Sequence, residues 1–328
     1  MTASNTRNEQ SQQAIFTVGS MVEDLEIVKA LNIGTYGQVY MARHRHTFER
    51  YAVKSLPHTQ LIKNGLETPQ RQLSAFQRNE ITLHSRLSGH PHIIRLEKVL
   101  QTAEWTHVIM EYGSEGDLFS AITEKNLYYG NHDLIRHVFL QILEAVRHCH
   151  SNHIYHRDLK PENILVFDGG RTVKLADFGL ATTDAISHDF GCGSTFYYSP
   201  ECQGTKSGIR LAGIKNRHYR HASSTGGYAT APNDVWALGM CLINLATSRN
   251  SWKVASLDDD TFRAYLYNDS NLLLKILPIS MELNKILKRI FVLDPNKRMT
   301  LDELSMRIQH CRYFTRTQEV IHYEAAMM

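Results

Sequence analysis

Cysteines are few, long hydrophobic runs are missing and net charge is small, and each shortage removes a class of protein. The 328 residues include five cysteines, Cys149, Cys192, Cys202, Cys241 and Cys311, scattered and odd in number. Such usage argues against a disulfide framework and for reduced thiols in the cytosol or nucleus. The apolar stretch opening at Asp234-Val235-Trp236-Ala237-Leu238-Gly239 and ending at Ala246 is too short to cross a membrane, so it is expected as a helix buried in a large domain. No membrane association is expected. The first fifteen residues lack the basic-then-apolar pattern of a secretory signal, and their polar character predicts disorder, which we extend over residues 1–21. No internal repeat is evident. Formal net charge is only +3, but it is uneven: residues 202–233 carry Lys206, Arg210, Lys215, Arg217 and Arg220 and no acid. That basic stretch reads as a solvated, mobile loop, or else as a patch for acidic partners or RNA. Nucleic acid is not the expected partner.

What the chain does have is a hydrophobic content of 42%, ample for a core, and a dense polar run in its middle. His156-Arg157-Asp158-Leu159-Lys160-Pro161-Glu162-Asn163 is followed by Asp177-Phe178-Gly179. The order suits phosphoryl transfer, in which a protein holds a nucleophile in line and neutralises charge on phosphate oxygens. Asp158 fits the acceptor of a hydroxyl proton. Lys160 can reach a phosphoryl group as a point charge, and Asn163 and Asp177 offer the hard oxygens that Mg²⁺ prefers. The plainer reading is a polar turn between two strands. Around the run, Ile135, Val138, Phe139, Ile142, Ala145, Val146 and Cys149 have helical spacing over 133–150. Ile164-Leu165-Val166 and Val173-Lys174-Leu175 read as short strands joined at Asp168-Gly169-Gly170. Four histidines, His148, His150, His153 and His156, invite a metal reading, but no neighbouring set completes a tetrahedral site, so structural histidines are expected.

These two motifs, in this order, resemble the catalytic loop and the magnesium loop of eukaryotic protein kinases. The resemblance runs from about Leu25 to Arg312 and implies an α+β, bilobal fold. A small lobe over 22–111 would hold an antiparallel sheet and one main helix. A larger, mainly helical lobe would occupy 112–315 (with the basic insertion 202–233), and a tail 316–328. Leu31-Asn32-Ile33-Gly34-Thr35-Tyr36-Gly37-Gln38-Val39 is similar to the family's glycine-rich loop, with Asn32 where the first glycine belongs. Asn tolerates a left-handed backbone better than other side chains, so the loop is expected to work. Lys54, in the strand Tyr51-Ala52-Val53-Lys54, matches the lysine that holds the α- and β-phosphates. Its implied partner is Glu80, on a helix with Leu73, Phe76, Ile81, Leu83 and Leu87 as apolar positions, ahead of the turn His90-Pro91. The strand His107–Tyr112 would lead to the hinge. Met110 then guards the adenine pocket, the backbone of Glu111 to Gly113 bonds the adenine edge, Asp117 meets the ribose, and Val39, Ala52 and Leu165 sandwich the purine. Ile33, Gly34 and Gly37 complete the implied nucleotide site.

Downstream, Ser199-Pro200-Glu201 stands where the family has Ala-Pro-Glu, and Arg298 is the implied buried partner of Glu201. Ser194 aligns with the residue that bridges Asp158 and Lys160 in serine/threonine kinases. The position of the usual activating phosphothreonine falls near Asp189-Phe190, where no hydroxyl exists. Either Asp189 stands in for the phosphate before Arg157, with Thr182, Thr183 and Ser187 as other sites, or it is a plain loop residue. His156 is implied to pack against Phe178. The segment Gly191–Cys202 resembles that of fungal serine/threonine kinases that restrain meiosis or respond to nutrients. The expectation is an ATP- and Mg²⁺-dependent kinase acting on protein serine or threonine, with upstream arginine attracted by Asp117 and Glu162. A monomer is expected. A catalytically dead scaffold is disfavoured because Lys54, Glu80, Asp158, Asn163 and Asp177 are all present, and a nucleic-acid module would have to rely on the basic stretch.

Overall fold

In the first unit of this computed structural model, residues alternate between two faces of a twisted sheet. Residues 14–34, 37–63, 66–204 and 226–327 are described. Strands β1 (Met21–Val22), β2 (Leu25–Gly34), β3 (Gly37–His44) and β4 (Arg50–Pro57) follow one another antiparallel. Then come the hairpin β5 (Thr59–Lys63) and β6 (Leu66–Gln72), helix α1 (Ala75–Leu87), and strands β7 (Leu96–Gln101) and β8 (Trp105–Glu111). The main sheet has the order β1-β2-β3-β4-β8-β7. Side chains point alternately to its two faces, so Tyr40, Ala42, Val53 and Ile109 pack with Val22, Leu25, Ile27 and Leu100 on one side. Leu56 and Val108 face the other side, where Leu73, Ile81 and Met110 join them.

The start of α1 is written in its sequence as a capping box. Ser74 Oγ accepts from Gln77 N (3.2 Å), and Gln77 Oε1 accepts from Ser74 N (2.9 Å). Leu73, expected within the helix, precedes the cap, and Phe76, expected on its apolar face, is exposed. Two further expectations are corrected. Disorder does not extend through residue 21, because Ile15 N donates to Gln38 Oε1 (2.9 Å) and Phe16 N to Tyr40 Oη (3.1 Å). The Phe16 ring meets Tyr40, Trp105 and His107 edge-on, with centroids 5.7, 5.4 and 5.5 Å away. The polar first fifteen residues are followed at once by Phe16, a ring that finds a sheet face to pack on; residues 1–13 lie outside the described residues.

The second correction concerns the division of the chain. It forms two compact units, Met1–Thr82 with Arg95–Tyr112, and Leu83–Ile94 with Gly113–Met328. Residues 83–94 therefore leave the expected small lobe of 22–111. Leu83, Leu87 and Ile93 belong to the large core, and Ile94 N and His92 O bond Leu175 O and N at 2.9 Å each.

The second unit is mainly helical. It contains α2 (Leu118–Thr123), α3 (His132–Ser151), the hairpin β9 (Ile164–Phe167) and β10 (Thr172–Leu175), and the short pair β11 (Ile186–Ser187) and β12 (Tyr228–Ala229). Helices α4 (Thr230–Thr247), α5 (Asp260–Tyr267), α6 (Leu272–Ile276), α7 (Met281–Ile290), α8 (Leu301–His310) and α9 (Gln318–Ala326) follow. All seven apolar positions that suggested α3 are buried, and Asn131 caps it by accepting from Leu134 N (3.1 Å). Helix α4 is buried nearly all round, as its sequence implied, although it begins four residues before Asp234 with Pro232 in its first turn. The two expected strands pair as a hairpin, Val173 opposite Val166 and Leu175 opposite Ile164. The tail, expected over 316–328, is a docked helix. Thr317 caps it, Val320 is buried, and Glu324 Oε1 accepts from Met281 N (2.7 Å) at the head of α7. No helix among the described residues is long and apolar enough to cross a membrane.

Candidate active site

Strand alternation decides what Lys54 can meet. Ala52, Lys54 and Leu56 share one face of β4, and Val39 opposite Lys54 and Met110 opposite Ala52 lie on that same face. Because α1 lies on this side, Lys54 Nζ pairs with Glu80 Oε1, and both side chains are largely removed from water, at 16% and 13% exposed. Water screens such a pair far less than a surface one. The glycine-rich turn is closed by β2 and β3 pairing down to Gly34 opposite Gly37. Asn32 is not left-handed here. It lies in extended β2 opposite Val39, so its tolerance of positive φ is not what makes it acceptable. Gly37 has a packing reason to be glycine, since a β-carbon there would fall 2.7 Å from Leu56 Cδ2 and 3.1 Å from Ser55 O. Ile33 pairs with Gln38 through its backbone; its side chain, with Thr35 and Tyr36, lies outside the described residues. The N–H of Glu111 donates to Arg95 O (2.9 Å) within the sheet.

In the second unit, the segment between α3 and β9 is held by an acid the sequence reading did not assign. Asp234, fully buried in the first turns of α4, accepts from His156 N and Arg157 N at 2.9 Å each, and its Oδ2 lies 2.9 Å from His150 Nε2. Those bonds hold Arg157 in a left-handed conformation (φ +65°), one that costs a non-glycine residue about 1–3 kcal/mol. The next residue, Asp158, is thereby turned toward a closed set of partners. Lys160 Nζ donates to Asp158 Oδ2 (2.8 Å) and to Ser194 Oγ (2.9 Å), and Ser194 Oγ donates to Asp158 Oδ1 (2.9 Å). Asn163 Nδ2 donates to the Asp158 carbonyl (2.8 Å) and to Oδ2 (3.1 Å). Ser194 can come this close only because Gly193 has no side chain. A β-carbon at Gly193, where φ is +105°, would lie 2.5 Å from Arg157 O.

Asp177 is an exposed carboxylate in a left-handed conformation (φ +58°). Its loop is tied to the Asp158 loop by Ala176 N donating to Asn163 O (2.8 Å) and by His156, whose ring packs on Phe178 with centroids 5.2 Å apart. Gly113, Asp117 and Leu165 also meet: Asp117 bridges to Leu165, and a β-carbon on Gly113 would lie 3.0 Å from Leu165 Cδ1. Asp117 has a structural task as well, capping α2 by accepting from Ser120 N (2.8 Å). Of the four histidines, His150 meets Asp234 and His148 stacks on His90 (4.7 Å). No group of three or more metal-ligating side chains occurs among the described residues.

Glu201 and Arg298 form a bidentate pair (2.6 and 3.1 Å) with side chains 6% and 0% exposed. Arg298 also donates to Pro232 O and Val292 O, and its guanidinium lies over the Trp236 ring at 4.9 Å. Asn233, also unassigned from sequence, accepts from Ser199 N and Ser199 Oγ at 2.9 Å each. A polar Asn-Asp pair heading an otherwise apolar helix is the signal that marks both Asn233 and Asp234. The basic residues 206–220 lie outside the described residues.

Burial raises the Cys192 thiol above its ordinary range and pushes Cys202 up to about 12, because an ionised sulfur loses hydration there. Thiolate is the reactive form, so a raised pKa slows alkylation at neutral pH. Iodoacetamide at pH 7.5 is therefore expected to label native protein at Cys192 alone, the one partly exposed cysteine, and more slowly than a free thiol. Cys149, Cys202, Cys241 and Cys311 should label only after denaturation, as read by peptide mass spectrometry.

The family model described as protein kinase domain matches residues 25–310. Over 299 residues, 90% of this chain, the sequence is 49% identical to the negative regulator of sexual conjugation and meiosis of Schizosaccharomyces pombe. It is 31% identical over 335 residues, 88% of this chain, to the serine/threonine-protein kinase VHS1 of Saccharomyces cerevisiae, and 34% identical over 278 residues, 83% of this chain, to SKS1 of the same yeast. The matched regions cover 61%, 70% and 53% of those relatives' lengths.

Proposed function

The chain belongs to the protein kinase domain family, and we propose that it transfers the γ-phosphoryl group of ATP to serine and threonine hydroxyls of protein substrates. The observation that carries this reading is the closed ring of Asp158, Lys160 and Ser194, with Asn163 bonded to the same carboxylate. In the proposed step the substrate hydroxyl oxygen forms a bond to the γ-phosphorus as the bond to the ADP oxygen breaks. Asp158 takes the hydroxyl proton and orients that oxygen, and Lys160 places its charge beside the transferring group. Ser194 fixes both, so neither must reorganise during transfer.

Lys54, oriented by Glu80, is assigned to the α- and β-phosphates. We assign the backbone of Ile33, Gly34 and Gly37 to the phosphates too. Val39, Ala52, Met110 and Leu165 are assigned to the purine, the backbone of Glu111 and Gly113 to its edge, and Asp117 to the ribose. The donor set also fits Mg²⁺. Asn163 spends its amide N–H on Asp158, which leaves its oxygen for a cation, and Asp177 supplies a carboxylate. Bound there, Mg²⁺ would neutralise charge on phosphate oxygens. The similarity to the S. pombe regulator supports grouping the chain with kinases that restrain meiosis. A place in cytosol or nucleus rests only on the five scattered cysteines.

Asp117 and the exposed Glu162 would attract a guanidinium upstream of the accepting hydroxyl. A peptide array with labelled ATP is expected to show phosphate on serine and threonine peptides, none on tyrosine, and stronger signal with upstream arginine. Labelling of tyrosine peptides alone would remove the assignment of hydroxyl type, and indifference to arginine would remove that of Asp117 and Glu162.

A further inference from the structure

Arg157, the residue before Asp158, is buried, and its guanidinium is held from several directions. Nε donates to Leu180 O (2.7 Å), and Nη1 donates to Ser187 Oγ (2.9 Å) and to Asp189 Oδ2 (3.0 Å). Burial, the largest single influence, would make this cation easier to deprotonate, but the bond to Asp189 and the neighbouring Cys192 and Tyr228 together outweigh it, and the guanidinium is held above its ordinary range. Asp189 itself is 67% exposed and is placed by its own N–H, which donates to Ser187 Oγ (3.1 Å).

What holds Ser187 and Asp189 is a second strand, remote in sequence. β11 pairs with β12, Ile186 opposite Ala229 and Ser187 opposite Tyr228. Thr230 extends the pairing, its N donating to Ala185 O (3.0 Å) and its Oγ1 to Asp184 O (2.8 Å), and His188 Nδ1 bonds Gly226 O (3.1 Å). The strands approach so closely at Gly227 that a β-carbon there would lie 2.7 Å from Ser187 O and 2.7 Å from Ile186 Cγ2. Behind the pair, Tyr228 is buried and its ring packs near Phe190 at 5.8 Å.

We propose that residues 226–230 form a strap that, through Ser187 and Asp189, fixes Arg157 and so aims Asp158, with no phosphate needed on this segment. Asp189 and Gly227 are positioning residues: neither touches the Asp158 carboxylate in the contacts above, and both act through Arg157. The inference rests on the phosphoryl-transfer reading and deepens it. Removing the Asp189 charge leaves a buried guanidinium short of its anion, and a side chain at Gly227 pushes Ser187 away. Small misplacements of a catalytic group cost much more in kcat than in substrate affinity.

The test uses the full chain with ATP and a serine peptide, comparing wild type, Asp189→Asn, Asp189→Glu, Gly227→Ala and Gly227→Val. The strap predicts that Asp189→Asn and Gly227→Val lower kcat by roughly ten- to a hundredfold while KM for ATP stays close to wild type. Asp189→Glu should recover most of the loss, and phosphatase treatment should leave wild type active. Wild-type kcat in both Asp189→Asn and Gly227→Val, no rescue by Asp189→Glu, or activity lost to phosphatase would overturn it. If Gly227→Val does not fold, Gly227→Ala and the Asp189 pair decide the matter. Should wild type transfer no phosphate at all, the functional reading fails on its own account, and hydrogen exchange judges the strap. Faster exchange over 184–190 and 226–230 in Asp189→Asn supports it, and unchanged exchange overturns it.

Discussion

Asp158→Ala is expected to lower kcat by roughly 10²- to 10⁴-fold, the range a positioned general base supplies, while ATP still binds. Alanine deletes both oxygens that receive the bonds from Lys160, Ser194 and Asn163, so the proton acceptor and the orientation of the incoming hydroxyl disappear together. ATP affinity should persist because the phosphate and adenine assignments fall on other residues, Lys54 and Ala52 among them. Steady-state kinetics paired with a fluorescent-nucleotide titration separates the two effects. Weak binding and low kcat together would mean that Asp158 shapes the nucleotide site as well. A variant with wild-type kcat would remove Asp158 from the chemistry. Asp158 and Ser194 share one network, so Ser194→Ala added to Asp158→Ala should cost much less than it does alone.

Arg298→Ala is expected to destabilise the second unit by about 3–5 kcal/mol, the cost of stranding a buried charge. The pair it breaks is bidentate, and Glu201, with 6% of its side chain exposed, has little water to fall back on. The same substitution removes the donors to Pro232 O and Val292 O and the contact over Trp236. Urea unfolding measures the loss as a lower midpoint. Replacing both partners with apolar residues, Glu201→Leu with Arg298→Met, should recover much of it, because neither charge is then left buried alone. A loss well under 1 kcal/mol for Arg298→Ala would show that this pair is as weak as an exposed one.

The parts of this fold that could be read in the sequence are those built from local pattern. Seven apolar residues at helical spacing gave α3, and the short apolar runs flanking Asp168-Gly169-Gly170 gave the strands β9 and β10. Asp158, Lys160 and Asn163 were legible as a group because they stand a few positions apart, and the structure brings all three together at one carboxylate. Ser194 and Arg298 lie far along the chain, and only a family resemblance could point to them before the structure showed the contacts.

The remainder depends on contacts that leave no local trace. Asp234 heads the apolar stretch and could be taken for an ordinary cap, yet it lies in the second turn of α4 and its carboxylate is consumed by two backbone N–H groups more than 70 positions upstream. The partnership of 186–189 with 226–230 is equally silent, for two-residue strands carry no periodicity. Asn32 shows the opposite error. A rule about left-handed backbones was applied to a position that the structure keeps extended. At the amino end, the polar composition of the first fifteen residues was extended to residue 21 across Phe16, whose partial burial is decided by a sheet face that only exists once the chain has folded.

The most direct measurement is phosphoamino-acid analysis of a generic protein substrate after incubation with γ-labelled ATP, Mg²⁺ and purified wild-type chain, run beside the Asp158→Ala protein. Labelled phosphoserine and phosphothreonine from wild type, with background from the variant, is the predicted result. Equal label from both proteins, or none from wild type, would contradict it.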